Sequence, residues 1–265
     1  MIELNSLVRD IEKAALETAA FISGEARGFD ITVSESKGIN NFVSYVDRKA
    51  EDMLVSRLAP LIENAGFLAE EGTESGKGRK YVWVIDPLDG TTNFLHGLAP
   101  YAISIGLLED EEPVAGVVYV VTSGEMFSAW KNGGAWLNGE RIRVSAAGRV
   151  ADSLIATGFP YSDFSRMDDY MKCLTHLWKY SHGIRRLGSA ATDIAYVACG
   201  RFEIFYEYGL HPWDIAAATI ILREAGGVIS DFSGNEKRLS GREIVASNPA
   251  VYSEIVEILN TFMGS

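Results

Sequence analysis

At Tyr81 the apolar pattern changes from helical to extended, and this change limits the possible folds more than any other feature of the chain. Residues 81–86 read YVWVID, 102–108 AISIGLL, 113–121 PVAGVVYVV and 125–130 EMFSAW. Each is a short run dominated by apolar, β-branched or aromatic residues, the signature of a buried strand. Short connections favour antiparallel neighbours, because a parallel crossover needs a dozen or more residues. Asn138-Gly139 stands between Trp136-Leu137 and the run Arg141-Ile142-Arg143-Val144. Both turn residues tolerate positive φ, so a tight two-residue hairpin is expected there. This part of the chain must build an antiparallel sheet.

Helices flank that sheet. Over 3–22, Leu4, Leu7, Val8, Ile11, Ala15 and Ile22 recur at helical spacing with charged residues between them, which predicts an amphipathic helix. Gly24 to Asn41 lacks apolar periodicity and reads as a loop. A second helix is expected from about Asp47, with Met53, Leu54, Leu58 and Leu61 inward. The second half alternates: strand 154–157, helix 165–180, a Ser189-capped helix to Cys199, strand 202–206, helix 212–225 closed by Gly226-Gly227, strands 228–230 and 243–246, and a last helix after Pro249. These elements predict a layered α/β fold in which residues 1–265 form a single domain. Its subdomains are about 1–150, α+β, and about 151–265, alternating α/β.

Charge narrows the ligands. Lys and Arg number 24 against 36 Asp and Glu, a net charge of −12. That balance repels nucleic-acid backbones and anionic lipid. An anionic substrate would need local neutralisation, and a bound divalent cation is the obvious device. The only cysteines, Cys173 and Cys199, are too few for a disulfide framework and read as reduced core thiols. The N-terminal residues lack signal-peptide order, and the longest apolar stretches, near 114–121 and 215–222, are too short to span a bilayer. A soluble cytoplasmic protein is expected.

The chemistry concentrates in Val84-Ile85-Asp86-Pro87-Leu88-Asp89-Gly90-Thr91-Thr92-Asn93-Phe94. A buried strand runs into Asp-Pro, and a second Asp follows three residues later. Pro87 fixes φ and removes a donor, so both carboxylates and the Leu88 carbonyl can converge. Convergent carboxylates repel unless protonated or bridged by a cation, and oxygen ligands select a hard ion such as Mg²⁺. Gly90 lets the backbone approach a ligand, and the amides of Gly90, Thr91 and Thr92 could open a short helix that receives phosphate. An Asp-Pro turn followed by a helix cap would leave the same residues.

Two further segments keep company with it. Glu70-Glu71 follows an apolar run, where a solvated helix end is the plain alternative. In His211-Pro212-Trp213-Asp214 the proline marks a helix start, so Asp214 lies in the first turn of a buried helix and either caps it or meets a metal. An aspartyl-phosphate mechanism of the haloacid-dehalogenase type is disfavoured, because Pro87 occupies the position of its nucleophile. His96, His176, His182 and His211 show no ligand spacing. Gly188-Ser189-Ala190-Ala191 opens a helix and could contact substrate, close helix packing being the plain alternative; Arg185-Arg186 offers positive charge near it or a solvated surface. Glu207, between a strand and the Asp214 helix, could hydrogen-bond a sugar hydroxyl or end its strand.

Glu70-Glu71, the 86–94 run and Trp213-Asp214 with its Ala-rich continuation resemble the inositol monophosphatase family, in order and over nearly the whole chain. The resemblance implies an αβαβα sandwich and a Mg²⁺-dependent, lithium-sensitive phosphomonoesterase that forms homodimers. By this resemblance Glu70, Asp86 and the Leu88 carbonyl hold one metal, and Asp86, Asp89 and Asp214 a second, two or three ions per site in all. Thr91 would help Glu70 position the attacking water, with Asp47 bonded to the threonine. Gly90 and Thr91 would take the phosphate, and Asp89, Ala190, Glu207 and Asp214 would contact the substrate. Asn41-Phe42-Val43-Ser44 departs from the family's Asp-Leu-Val-Thr run. The Thr92-Asn93-Phe94 ending resembles the inositol-phosphate branch rather than the bisphosphate nucleotidases. The expected substrate is therefore inositol 1-monophosphate. Fructose 1,6-bisphosphate, histidinol phosphate, a 3′-phosphoadenosine nucleotide or a non-catalytic interaction role stand as alternatives.

Overall fold

The computed structural model describes residues 2–26, 35–38, 41–160, 163–235 and 242–264. Helix α1 (Leu4–Ala26) buries Leu7, Val8, Ile11, Ala15 and Ile22 as one stripe, and runs a turn beyond the last apolar position. Part of the loop expected over 24–41 is therefore helical. Another part forms two antiparallel strands, β1 (Glu35–Gly38) and β2 (Asn41–Val43); residues 27–34, 39 and 40 of that expectation lie outside the described residues. Helix α2 (Tyr45–Leu58) starts two residues earlier than the apolar pattern implied, because Ser44 and Asp47 form a reciprocal capping box that fixes the first turn.

The larger sheet contains β3 (Gly66–Ala69), β4 (Glu74–Ser75), β5 (Tyr81–Asp89), β6 (Ala102–Glu109), β7 (Glu112–Val120), β8 (Glu125–Trp130), β9 (Gly134–Leu137) and β10 (Glu140–Ile142). The short helix α3 (Thr91–Leu95) follows β5. The sheet order is β10-β9-β8-β7-β6-β5-β3-β4. From β5 to β10 the neighbours are antiparallel, and the β9–β10 turn is the expected hairpin, with Asn138 at φ 50° and Gly139 at φ 83°. Strand β3 was not anticipated. It pairs parallel to β5 and delivers Glu70, so this acid ends a strand rather than a helix.

The second sheet contains β11 (Leu154–Thr157), β12 (Gly183–Arg185), β13 (Ile204–Tyr208), β14 (Val228–Ser230) and β15 (Glu243–Ser247) in the order β12-β11-β13-β15-β14. It is mixed: β11 runs parallel to β12 and β13, while β15 is antiparallel to β13 and β14. The helices of this half are α4 (Met167–Lys179), α5 (Ala190–Ala198), α6 (Pro212–Glu224) and α7 (Pro249–Met263). Strand β13 lies two residues later than expected, so Glu207 is inside it rather than beyond its end.

Packing stacks these elements in five layers, αβαβα. Helices α1 and α2 cover one face of the larger sheet. Helices α5 and α6 fill the space between the sheets, where Val118 and Phe127 meet Ile194, Ile221, Phe205 and Ala246. Helices α4 and α7 close the far side through Tyr170, Leu177, Val251 and Ile255. Helix α6 lies directly on backbone. A Cβ at Gly116 would stand 2.5 Å from the Ala217 carbonyl oxygen, and one at Gly106 would stand 2.9 Å from the Ala216 Cβ. The two glycines let the central helix settle far enough to bring its N-terminus against β5. Cys173 and Cys199 are free thiols, and Cys173 is fully buried. Among the described residues no helix is long and apolar enough to cross a membrane.

Candidate active site

Pairing between β5 and β6 slips between Asp86 and Asp89, where Pro87 has no amide to contribute. The freed Leu88 amide donates instead to Asp86 Oδ1 at 2.9 Å. Gly90 then turns the chain at φ 94°. A Cβ there would come within 3.1 Å of the carbonyl oxygens of both Gly188 and Pro100, so conformation and space both require glycine. Asn93 locks the turn by donating its amide to the Pro100 and Leu187 carbonyls at 2.7 and 2.8 Å.

Helix α2 reaches this turn through Asp47. Its Oδ2 accepts from the Ser44 amide and hydroxyl at 2.8 and 2.6 Å. Its Oδ1 faces the Thr91 hydroxyl at 2.9 Å, and that hydroxyl is also 3.0 Å from the Leu88 carbonyl. Thr91 has one proton. A carboxylate is the stronger acceptor, so the proton goes to Asp47 and the carbonyl oxygen keeps its lone pairs.

The second half of the chain supplies the opposite wall. Asp89 Oδ2 accepts from the Ser189 hydroxyl at 2.6 Å and the Ala191 amide at 2.8 Å, which ties β5 to the start of α5. Asp214 Oδ2 accepts from the His211 amide at 2.6 Å, so it caps α6 as its position in the first turn suggested, and it also faces the cleft. The His211 ring stacks on Trp213 at 4.8 Å. Glu207 projects from β13 into space that only a glycine leaves open, since a Cβ at Gly158 would lie 2.0 Å from its carboxyl carbon.

These groups line one cleft of about 150 Å³: Glu70, Asp86, Leu88, Asp89, Gly90, Thr91, Ala190, Glu207 and Asp214 all reach it. Asp47 stands behind, touching the cleft through Thr91. Sequence reasoning therefore found residues that the fold gathers into one place. Three further contributors were harder to read. Arg186, which the sequence offered as positive charge or as a solvated surface, lines the cleft; it lies just past the three-residue strand β12, which has no readable period. Ser189 stood in a helix-opening run that could contact substrate, but nothing marked its bond to Asp89, and Gly158 gave no local signal.

Burial and crowding raise the acids. Asp86 is pushed well above the usual carboxylate range, first by burial and then by the charges of Glu70, Asp89 and Asp214. Asp214 rises likewise, burial outweighing the His211 amide. Burial lifts Asp89 to about 6 despite its bonds to Ser189 and the α5 amides, and lifts Glu207 to about 8 with partial relief from Arg186. Mutually repelling carboxylates of this kind must share protons or a cation.

As the side chains stand, no three His, Cys, Asp or Glu among the described residues close around one point as ligands of a single ion. Asp86 shares a hydrogen bond with Glu70 instead. The donor chemistry nonetheless fits a hard divalent cation: carboxylates and a peptide carbonyl, with no sulfur, are the set that Mg²⁺ selects.

Five layers with an acid-lined cleft at strand and helix ends define the phosphatase fold. The chain belongs to the inositol monophosphatase family, whose model matches residues 4–262. It is 37% identical over 257 residues to an inositol-1-monophosphatase of Mesorhizobium japonicum, covering 96% of each chain. It is 38% identical over 240 residues to the Nus factor SuhB of Escherichia coli, covering 90% of each. The crystal structure of extragenic suppressor protein SuhB from Bartonella henselae superposes with a TM-score of 0.89 at 36% identity, covering 96% of this chain and 98% of that one.

Proposed function

We propose that this chain hydrolyses a phosphate monoester, with inositol 1-monophosphate as the substrate, and that it does so as a single cytoplasmic domain spanning 1–265. The observation that carries this reading is the meeting of Glu70, Asp86, Asp89 and Asp214 with the Gly90–Thr91 turn in one cleft. Glu70, Asp86 and the Leu88 carbonyl would hold one Mg²⁺, and Asp86, Asp89 and Asp214 another. When bound, such ions neutralise the substrate phosphate and acidify water, which suits a reaction that depends mainly on positioning and charge.

The chain's own groups supply the orientation. Thr91, its proton committed to Asp47, presents a lone pair that can accept a proton from water. Glu70 offers a second acceptor on the same side. The Gly90 and Thr91 amides receive the phosphate oxygens, while Ala190 and Glu207 meet the alcohol. Raised by burial to about 8, Glu207 can donate to a sugar hydroxyl as well as accept from one. Asp214, at the start of α6, faces the leaving side.

Phosphate release from inositol 1-phosphate, fructose 1,6-bisphosphate, histidinol phosphate and a 3′-phosphorylated nucleotide, each with and without Mg²⁺, tests this reading. Mg²⁺-dependent turnover highest on the inositol ester supports it, and no turnover on any ester refutes it. Lithium inhibition and a homodimer belong to the same reading, and the exposed Trp178 and Tyr180 at the end of α4 favour self-association. A non-catalytic role has one observation in its favour, the Nus factor name of the Escherichia coli relative. An Asp86→Asn variant that kept such a role without turnover would separate the two.

A further inference from the structure

Helix α2 carries two buried carboxylates, Asp47 and Glu51, four residues apart and so on one face. Asp47 holds Thr91, as described above. Glu51 grips the turn that carries Glu70. Its Oε2 accepts from the Glu71 amide at 2.7 Å, and its Oε1 from the Thr73 amide at 2.9 Å.

Every amide of that turn can be traced to an acceptor. The Ala69 amide donates to the Thr73 carbonyl, Glu70 to Ile85, and Gly72 to Ala69. That leaves two amides, Glu71 and Thr73, and Glu51 takes both. A part-buried amide left without a partner is unfavourable, so the turn depends on a side chain at least twenty residues away. Two donors need two acceptor oxygens on one group, which a carboxylate supplies and a carboxamide does not. Burying a charge at Glu51 is tolerable because both of its oxygens receive charge-assisted bonds.

One helix face therefore fixes both groups on the water side of the cleft. Val46, Ala50, Leu54 and Leu58 anchor α2 in the core, so the separation of Glu70 from Thr91 is set by a rigid helical turn rather than by either loop. We propose that Glu51 is a positioning residue for Glu70: it holds the 70–73 turn so that the Glu70 carboxyl is presented to a divalent cation. This inference rests on the phosphatase reading of Glu70.

The test is Glu51→Gln, read by calorimetric titration with Mn²⁺ in the absence of substrate and by kcat and KM in Mg²⁺. Mn²⁺ affinity should fall about 10- to 100-fold, the usual loss when a partner of a metal ligand is removed. At saturating Mg²⁺ the substrate KM should hold, since the chain's own substrate contacts lie elsewhere. In a Glu70→Gln background the same change should have little further effect. A folded Glu51→Gln protein with Mn²⁺ affinity and kcat within twofold of wild type overturns the inference, as does an undiminished loss in the Glu70→Gln background. If Glu51→Gln does not fold, Glu51→Asp keeps the charge on an arm one methylene shorter and is judged by the same criteria. The phosphatase reading fails separately, and this inference with it, if wild-type protein neither binds Mn²⁺ nor releases phosphate.

Discussion

Replacing Asp47 by Asn changes a single atom, and its consequence can be followed through the hydrogen bonds. Asp47 Oδ2 receives two donors from Ser44, so the carboxamide turns its oxygen toward Ser44 and its NH₂ toward Thr91. Thr91 then has to accept from that NH₂, and its own proton swings to the Leu88 carbonyl 3.0 Å away. The lone pair available to a water proton is lost, and a carbonyl proposed as a metal ligand becomes occupied. One hydrogen bond to a charged group is worth about 1.5–3 kcal/mol; at about 1.4 kcal/mol per tenfold, kcat should drop about ten- to hundredfold. Stability should move little, because the carboxamide oxygen keeps both Ser44 donors, the Thr91 bond is reversed rather than deleted, and the lost charge–dipole gain in the first turn is about 0.3–1 kcal/mol. Steady-state phosphate release and thermal unfolding of the two proteins measure both quantities. A kcat within twofold of wild type at unchanged melting temperature would refute the assignment of the Thr91 proton.

Asp86→Asn removes the carboxylate shared by both proposed cations; turnover should fall by more than the about 10- to 100-fold typical of losing a ligand's partner, while circular dichroism stays native. In metal-free protein, Glu207 ionises near pH 4.5 when unfolded but only at about 8 when folded. The stability it contributes is therefore complete below pH 4.5 and is lost as pH rises to 8, with a slope of about 1.4 kcal/mol per unit. Glu207→Gln should flatten denaturation midpoints measured across that window, and an unchanged slope would deny the shift. Gly116→Ala drives a methyl to 2.5 Å from the Ala217 carbonyl and should cost about 1–3 kcal/mol in urea unfolding. It should also weaken Mn²⁺ binding by displacing Asp214.

Covalent adjacency explains what could be read without coordinates. Asp86, Leu88, Asp89, Gly90 and Thr91 sit in one short run whose proline and glycine dictate the turn, and Pro212 announces the helix that presents Asp214. The clear helical period of α1 and the apolar runs of β5 to β8 were equally legible. Strand β3 has four residues, too few for a period, so Glu70 looked like a helix end. The register of β13 was hidden because Ile204, Phe205, Tyr206 and Tyr208 are all buried; a strand covered on both faces does not alternate. Arg186 and Glu51 act across the fold, one from the segment just after a three-residue strand and the other from a helix at least twenty residues before its partners. Nothing local marks such distant pairings, although an acid four residues after Asp47 on a buried face was a usable hint.

Anomalous diffraction from crystals soaked in Mn²⁺ tests the central claim most directly. Peaks bridging Asp86 to Glu70 on one side and to Asp89 and Asp214 on the other, at oxygen distances of about 2.1–2.3 Å, are the expected result. A cleft that stays without a peak in active, well-diffracting protein would contradict the account.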